Sequence, residues 1–386
     1  MSKIHSAYRE LQQHLNKLPV GFPQTESGVE IKILKLLFTP KEANVAMKLK
    51  FMPETIRHIY RRVKKNVDSK RELRKLLDSM TEKGAISGRK IGNRIYYRNL
   101  LFIIGIYEYQ VTRMTREFME LMNQYIDEAF AFEFFRTENH QLRTIPIEKS
   151  LTSETHVYIY DNIIQLIKKT HGPFGVAECV CRIGHDLTGN NCKQTDLRES
   201  CLVYRNTARY HIDHGYARSI TRDESIRILR EAENAGLVLQ PGNSKRLGFI
   251  CTCCGCCCEG LKLVNKLPRP AEVYTSTYFA EVDVKECSGC ETCIKRCQMK
   301  AISLKNDISS VDLDYCIGCG LCGPTCPNKA IKLFKKSQKK KTPRSRFGLV
   351  LSILRHKSGN WAFLKFIFKN LFNLKLYYFL KKNKIS

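Results

Sequence analysis

Two short runs of cysteine carry the clearest chemistry in this chain. "CSGCETCIKRC" spaces Cys287, Cys290, Cys293 and Cys297 by two, two and three intervening residues. "CIGCGLCGPTCP" repeats that spacing 29 residues later with Cys316, Cys319, Cys322 and Cys326, followed by Pro327. Thiolates are soft ligands, so such spacing suits a soft metal or a metal–sulfur cluster. There are 18 cysteines among 386 residues, and none precedes Cys179. A disulfide scaffold is the competing reading. A chain this long does not need such staples, and the tight spacings suit metal better. The N-terminal "MSKIHSAYRELQQHL" lacks an apolar signal-type run, so a reducing cytosol is the expected compartment.

The paired units resemble a bacterial two-cluster ferredoxin over Val273 to Leu333. The resemblance implies two [4Fe–4S] clusters with crossed ligation. One would take Cys287, Cys290, Cys293 and Cys326. The other would take Cys316, Cys319, Cys322 and Cys297. Gly289, Gly318 and Gly320 would let backbone N–H groups approach sulfur. "YFAEVDV" and "AIKLF" are the expected outer strand pair, with "AISL" and "SVDLD" as an inner hairpin. One departure is Gln298, where the family usually has proline; proline ligates nothing, so cluster assembly should survive. Zinc fits these eight cysteines poorly, because they exceed one tetrahedral four-thiolate set. Lys295, Arg296 and Lys300 beside one unit would favour its more reduced state.

Ten more cysteines lie upstream. "CVCRIGHDLTGNNCKQTDLRESC" holds Cys179, Cys181, Cys192 and Cys201, and "CTCCGCCC" holds Cys251, Cys253, Cys254, Cys256, Cys257 and Cys258. Ten thiols can ligate two cubanes with two left over, one larger cluster, or a zinc and a cluster. At least one further iron–sulfur cluster is the preferred reading; a structural zinc on Cys179, Cys181, Cys192 and Cys201 is the alternative. The candidate ligands are Cys179, Cys181, Cys192, Cys201, Cys251, Cys253, Cys254, Cys257 and Cys258, leaving Cys256 over. His185 reads as a polar loop residue, and His211 and His214 as structural.

The wider order also has a likeness. A winged-helix-like segment, "FGVAECVCR", "LVLQPGN", "ICTCCGCCC" and then the paired units together resemble a family of large bacterial and archaeal 4Fe–4S binding proteins. The likeness spans about residues 8 to 334 and implies electron transfer with extra cysteine clusters, not a substrate.

The elements that must position these thiols suggest an α+β chain in four parts. Residues 1–100 are mainly helical and winged-helix-like: Thr39, Pro40 and Glu42 open one helix, Ser69 caps another that Gly84 ends, and Gly92-Asn93 turns a hairpin. Residues 101–267 read as a helical domain with the extra cysteines, starting with one long helix over 101–135. A capping box at Thr221 and Glu224 opens a later helix that Gly236 ends. Residues 268–334 form the ferredoxin-type α+β module. Residues 335–386 are a basic linker and amphipathic helical tail.

The net charge is +28, and Lys335 to Ser386 holds fifteen Lys or Arg with no Asp or Glu. That balance predicts an anionic partner: nucleic acid, an acidic protein or an anionic membrane. Lysines interrupt the apolar tail, which argues against a membrane span and for peripheral contact through 343–382 on the inner face, or a docking helix. Basic residues at 57–75, with Arg89, Lys90 and Arg94, would serve DNA binding if the helix at 69–80 entered a groove. No nucleotide-binding glycine loop, Ser/His/Asp pattern or flavin fingerprint is present. The leading expectation is an electron carrier, or an electron-transfer subunit, working between a low-potential donor and an oxidoreductase partner. A redox-sensing DNA-binding regulator, and an oxidoreductase with the extra cluster as active site, are the alternatives.

Overall fold

The computed structural model describes residues 3–135, 137, 139–151, 162–337 and 342–369. They fall into two compact units, Met1–Thr137 with Val350–Ser386, and Glu138–Leu349.

In the first unit the capping signals act as the sequence suggests. The Thr39 hydroxyl accepts from the Glu42 amide while the Glu42 carboxylate accepts from the Thr39 amide, closing a capping box at helix Pro40–Ala46. Ser69 caps helix Lys70–Glu82, and Gly84 follows at a φ of 69°. Helix Ile56–Val63 lies between them, and strands Ile86–Ile91 and Arg94–Asn99 form the hairpin across Gly92. Tyr96 and Tyr97 are buried and also pair with the short strand Glu54–Thr55. Arg62, one of the basic residues considered for DNA, is tied to the buried Glu54 at 2.9 and 2.5 Å.

The continuous helix expected over 101–135 does not form. Residues 102–110 are irregular turns, and Thr115 starts a separate helix, Arg116–Tyr125, by accepting from the Phe118 amide. Phe22 fills the space, with its ring centroid 4.3 Å from Phe102 and 4.7 Å from Tyr125.

The tail forms helix Arg346–Lys369, kinked at Gly359. Val350, Ile353 and Leu354 are buried, and Lys357 ion-pairs with Glu133 at 2.6 Å. That part of the tail packs on its own protein. No helix among the described residues is long and apolar enough to cross a membrane. The remainder of the proposed membrane-contacting stretch, 370–382, lies outside the described residues.

In the second unit the middle of the chain is not simply helical. It carries a five-stranded antiparallel sheet in the order Arg218–Ile220, Phe174–Glu178, Glu199–Tyr204, Phe249–Cys253 and Val238–Pro241. These strands are three to six residues long, too short to declare a period against the helices beside them. Helix Arg222–Asn234, capped by Thr221, contacts the sheet. Downstream, Tyr278–Val282 pairs antiparallel with Ile331–Lys335, and Ile302–Lys305 pairs with Ile308–Val311. Those are the outer pair and inner hairpin expected from sequence.

Candidate metal centres

The paired cysteine units sit on the loops that these two small sheets hold. Their backbone contacts obey an internal repeat of 29 residues. The Ser309 amide donates to Cys287 Sγ at 3.4 Å, and the Ala280 amide donates to Cys316 Sγ at 3.4 Å. The Ala301 amide donates to Cys297 Sγ and the Ala330 amide to Cys326 Sγ, both at 3.3 Å. Each pair of donors is 29 residues apart, as are the sulfurs they serve. In each unit, the first sulfur takes its amide from a strand and the fourth from four residues on. N–H donors of this kind stabilise thiolate and cluster sulfur.

The loop glycines are forced by crowding as well as by φ. Gly289 (φ 67°) and Gly318 (φ 61°) lie against backbone: a Cβ on Gly289 would fall 2.4 Å from the Asp307 carbonyl oxygen, and on Gly318 2.0 Å from that of Tyr278. The units differ in exposure. Cys293 and Cys322 are buried alike, but Cys290 is exposed and Cys287 partly so, whereas Cys316 is buried and Cys319 only partly exposed. Amides of Ser309 and Gly289 hold the Cys287 thiol below its usual range. Burial pushes Cys319 up to about 12. Arg296 donates to the carbonyls of Glu233 and Asn234 at 2.7 Å each, closing the C-terminus of helix Arg222–Asn234, and its charge also reaches Cys319.

The ten upstream cysteines sort differently from their order in sequence. Cys192 leaves Cys179, Cys181 and Cys201 and joins Cys254, Cys256 and Cys257. These four sulfurs all lie within 4.8 Å of one another. Cys192 is 3.7 Å from both Cys254 and Cys256, and Cys256 is 3.7 Å from Cys257. A metal–sulfur bond of about 2.3 Å puts tetrahedral sulfurs about 3.8 Å apart, so the spacing fits a single tetrahedral ion. Cys256, left over at the sequence level, completes this set. Ala232, Leu197 and Leu237 enclose it. The Cys257 thiol donates to Cys254 and, with Arg182 nearby, leaves Cys254 pushed down to about 4.

The other six thiols form a second, contiguous group. Cys181 contacts Cys179 and Cys258. Cys253 contacts Cys258 and Cys251, and Cys251 contacts Cys201. The sheet explains this. Leu202 pairs with Ile250 and Val203 with Phe249, which brings Cys201 opposite Cys251, and Cys253 follows two residues on along the same face. Cys179 and Cys181 enter from the neighbouring strand end and the start of helix Val180–Leu187. Cys258 stands at the N-terminal boundary of helix Glu259–Val264.

Arg182, fully buried, lies between the two groups. It donates to the Leu197 carbonyl at 2.9 Å, the Ser200 hydroxyl at 2.7 Å and the Thr252 carbonyl at 2.6 Å. Burial pushes its pKa down, but the neighbouring sulfurs of Cys179, Cys254 and Cys253 more than offset this and raise it above the ordinary arginine value. His185 is not a loop residue: it is buried on helix Val180–Leu187, 2.9 Å from Glu259. His211 and His214 are structural, each bonded to a carbonyl four residues before it.

Gln298 joins the paired-unit segment to the four-thiol loop. Its side-chain oxygen accepts from the Gly255 amide at 2.7 Å, and its amide donates to Gln194 at 3.0 Å. The residue that breaks the proline pattern thus braces Gly255, between Cys254 and Cys256. Cysteine count alone could not reveal Gln298 or Arg182, since both act through buried hydrogen bonds.

Among known proteins, residues 310–332 match the family described as "4Fe-4S binding domain". That stretch contains Cys316, Cys319, Cys322 and Cys326. No curated protein and no solved structure gives a significant match to the chain. With its sulfurs on amide donors and this motif around them, the chain is an iron–sulfur protein that binds a 4Fe–4S cluster.

Proposed function

We propose that the chain is an electron-transfer protein holding two [4Fe–4S] clusters between residues 273 and 333, with crossed ligation. One cluster takes Cys287, Cys290, Cys293 and Cys326, the other Cys316, Cys319, Cys322 and Cys297. The repeat of amide donors to sulfur is the observation that carries this reading, because it equips the two units alike. A [4Fe–4S] cluster supplies one-electron chemistry and no acid, base or nucleophile. The protein's own part is to hold the thiolates, stabilise added negative charge with amide donors and exclude water.

Exposure gives the relay a direction. Cys290 is exposed, so a low-potential partner protein exchanges electrons at that edge. Cys316 and Cys322 are buried, so the second cluster is the inner station. Cys297, a ligand of that inner cluster, adjoins Gln298 and through it the four-thiol site. Iron and sulfide analysis with EPR tests the reading. Cys319→Ser should remove one cluster's worth of iron and weaken the interaction between paired spins. Equal metal content in wild type and variant would overturn it.

A further inference from the structure

The six-thiol group has features that a set of spare cysteines would not need. Its sulfurs neighbour one another in a row, from Cys179 through Cys181, Cys258, Cys253 and Cys251 to Cys201. Yet among the described residues only the four-thiol group brings three or more ligand atoms mutually within 4.8 Å. The six are therefore too spread for one tetrahedral ion and too numerous for its four positions. Thiolates bound to different irons of a cluster stand farther apart than those sharing one ion.

Two buried polar side chains face the same place. Gln240 pairs with Cys251 across neighbouring strands, so both side chains leave the same sheet face. Gln240 is fully buried, and neither its amide nitrogen nor its oxygen makes a hydrogen bond of normal geometry. Tyr274 is 2% exposed, and its hydroxyl faces the Gln240 side chain without closing a hydrogen bond of normal geometry. Tyr274 Oη and Cys258 Sγ both line Gly260, at 3.2 and 3.8 Å from where a Cβ would sit. Buried polar groups are normally satisfied, and the weak contact between Tyr274 and Gln240 leaves donor capacity over, so the pocket points to an absent acceptor. Cluster sulfide is an acceptor that suits both an amide N–H and a phenol O–H.

We propose that Cys179, Cys181, Cys201, Cys251, Cys253 and Cys258 form a separate site for a polynuclear iron–sulfur cluster, with Gln240 and Tyr274 donating to its sulfur. Arg182 supplies a buried positive charge beside it. The site is distinct from the four-thiol group and does not depend on the paired-unit clusters.

Anaerobic reconstitution of the full chain with iron and sulfide tests this, with iron, zinc and acid-labile sulfide counted per chain. The double variant Cys253→Ser/Cys258→Ser should lose iron and sulfide together, while the signals of the Cys287–Cys326 clusters persist. Tyr274→Phe keeps every thiol, so it covers the case in which the double variant fails to fold. It should leave the iron count unchanged and alter the EPR signal or midpoint potential of only this cluster. Unchanged sulfide in a folded double variant overturns the proposal, as does zinc without sulfide on these thiols or a Tyr274→Phe protein with wild-type spectra. Cys290→Ser/Cys319→Ser separates the two readings: its effect should fall on the paired-unit signals alone.

Discussion

Gln298 accepts a hydrogen bond from the Gly255 amide at 2.7 Å, and so fastens the four-thiol loop beside Cys297. Proline at this position, usual in the two-cluster ferredoxins the segment resembles, would delete that bond and the one to Gln194. Gln298→Pro should leave cluster content in the paired units intact. It should weaken metal retention at Cys192, Cys254, Cys256 and Cys257 by about 10- to 100-fold, as loss of ligand-supporting contacts does. Chelator competition measures this, and unchanged retention would contradict the bracing role.

Gly318 has no room for a side chain. Gly318→Ala would combine a positive φ with a Cβ 2.0 Å from the Tyr278 carbonyl oxygen. The protein should lose iron around Cys316, Cys319 and Cys322 on purification. Gly28→Ala is the control: its φ is 68° but nothing lies within 4 Å, so it should cost only about 1 kcal/mol with full iron content.

Arg182 pins the helix bearing Cys181 to the strand bearing Cys251 and Cys253 through the Thr252 carbonyl. Arg182→Met leaves buried acceptors unpaired and removes the counter-charge, which should cost about 3–5 kcal/mol. Arg182→Lys should not restore stability, because an ammonium cannot reach the same acceptors in the guanidinium's fork geometry. Denaturant midpoints and upstream metal content are the readouts. Metal bound at Cys287–Cys326 should be unaffected.

His211 supplies a pH dependence. Burial, with further help from Arg346 and His214, pushes its pKa down from 6.5 to about 4, against the opposing effect of the Thr207 carbonyl. The unfolded chain therefore binds this proton more readily than the folded one. Its contribution is fully present above pH 6.5 and is lost as pH falls from 6.5 towards 4, amounting to about 3 kcal/mol over the window. His211→Gln should show a shallower loss of stability over that window. The difference between the two denaturation curves across pH checks it.

The paired units were readable because three features agree: cysteine spacing, glycines at forced positive φ, and flanking runs that form the expected strand pairs. Caps at Thr39, Ser69 and Thr221 were equally legible, since each is a local hydrogen bond. The sheet from 174 to 253 was not, because strands such as Arg218–Ile220 are too short to show a period. Neither was the sorting of the upstream thiols. Adjacent residues in "CTCCGCCC" go to different groups: Cys253 follows the strand face to Cys251, while Cys254 turns to Cys192. That division depends on sheet pairing across about fifty residues, which spacing does not encode. The resemblance to larger 4Fe–4S proteins suggested extra clusters without dividing their ligands.

The central claim is that two [4Fe–4S] clusters occupy the paired units and carry electrons. EPR of the dithionite-reduced full chain, with iron and sulfide counted on the same sample, tests it most directly. The account predicts about eight irons and eight sulfides attributable to Cys287–Cys326 and a spin-coupled S = 1/2 spectrum that Cys319→Ser simplifies. A single uncoupled cluster in wild type, or zinc in place of iron and sulfide at these eight cysteines, would contradict it.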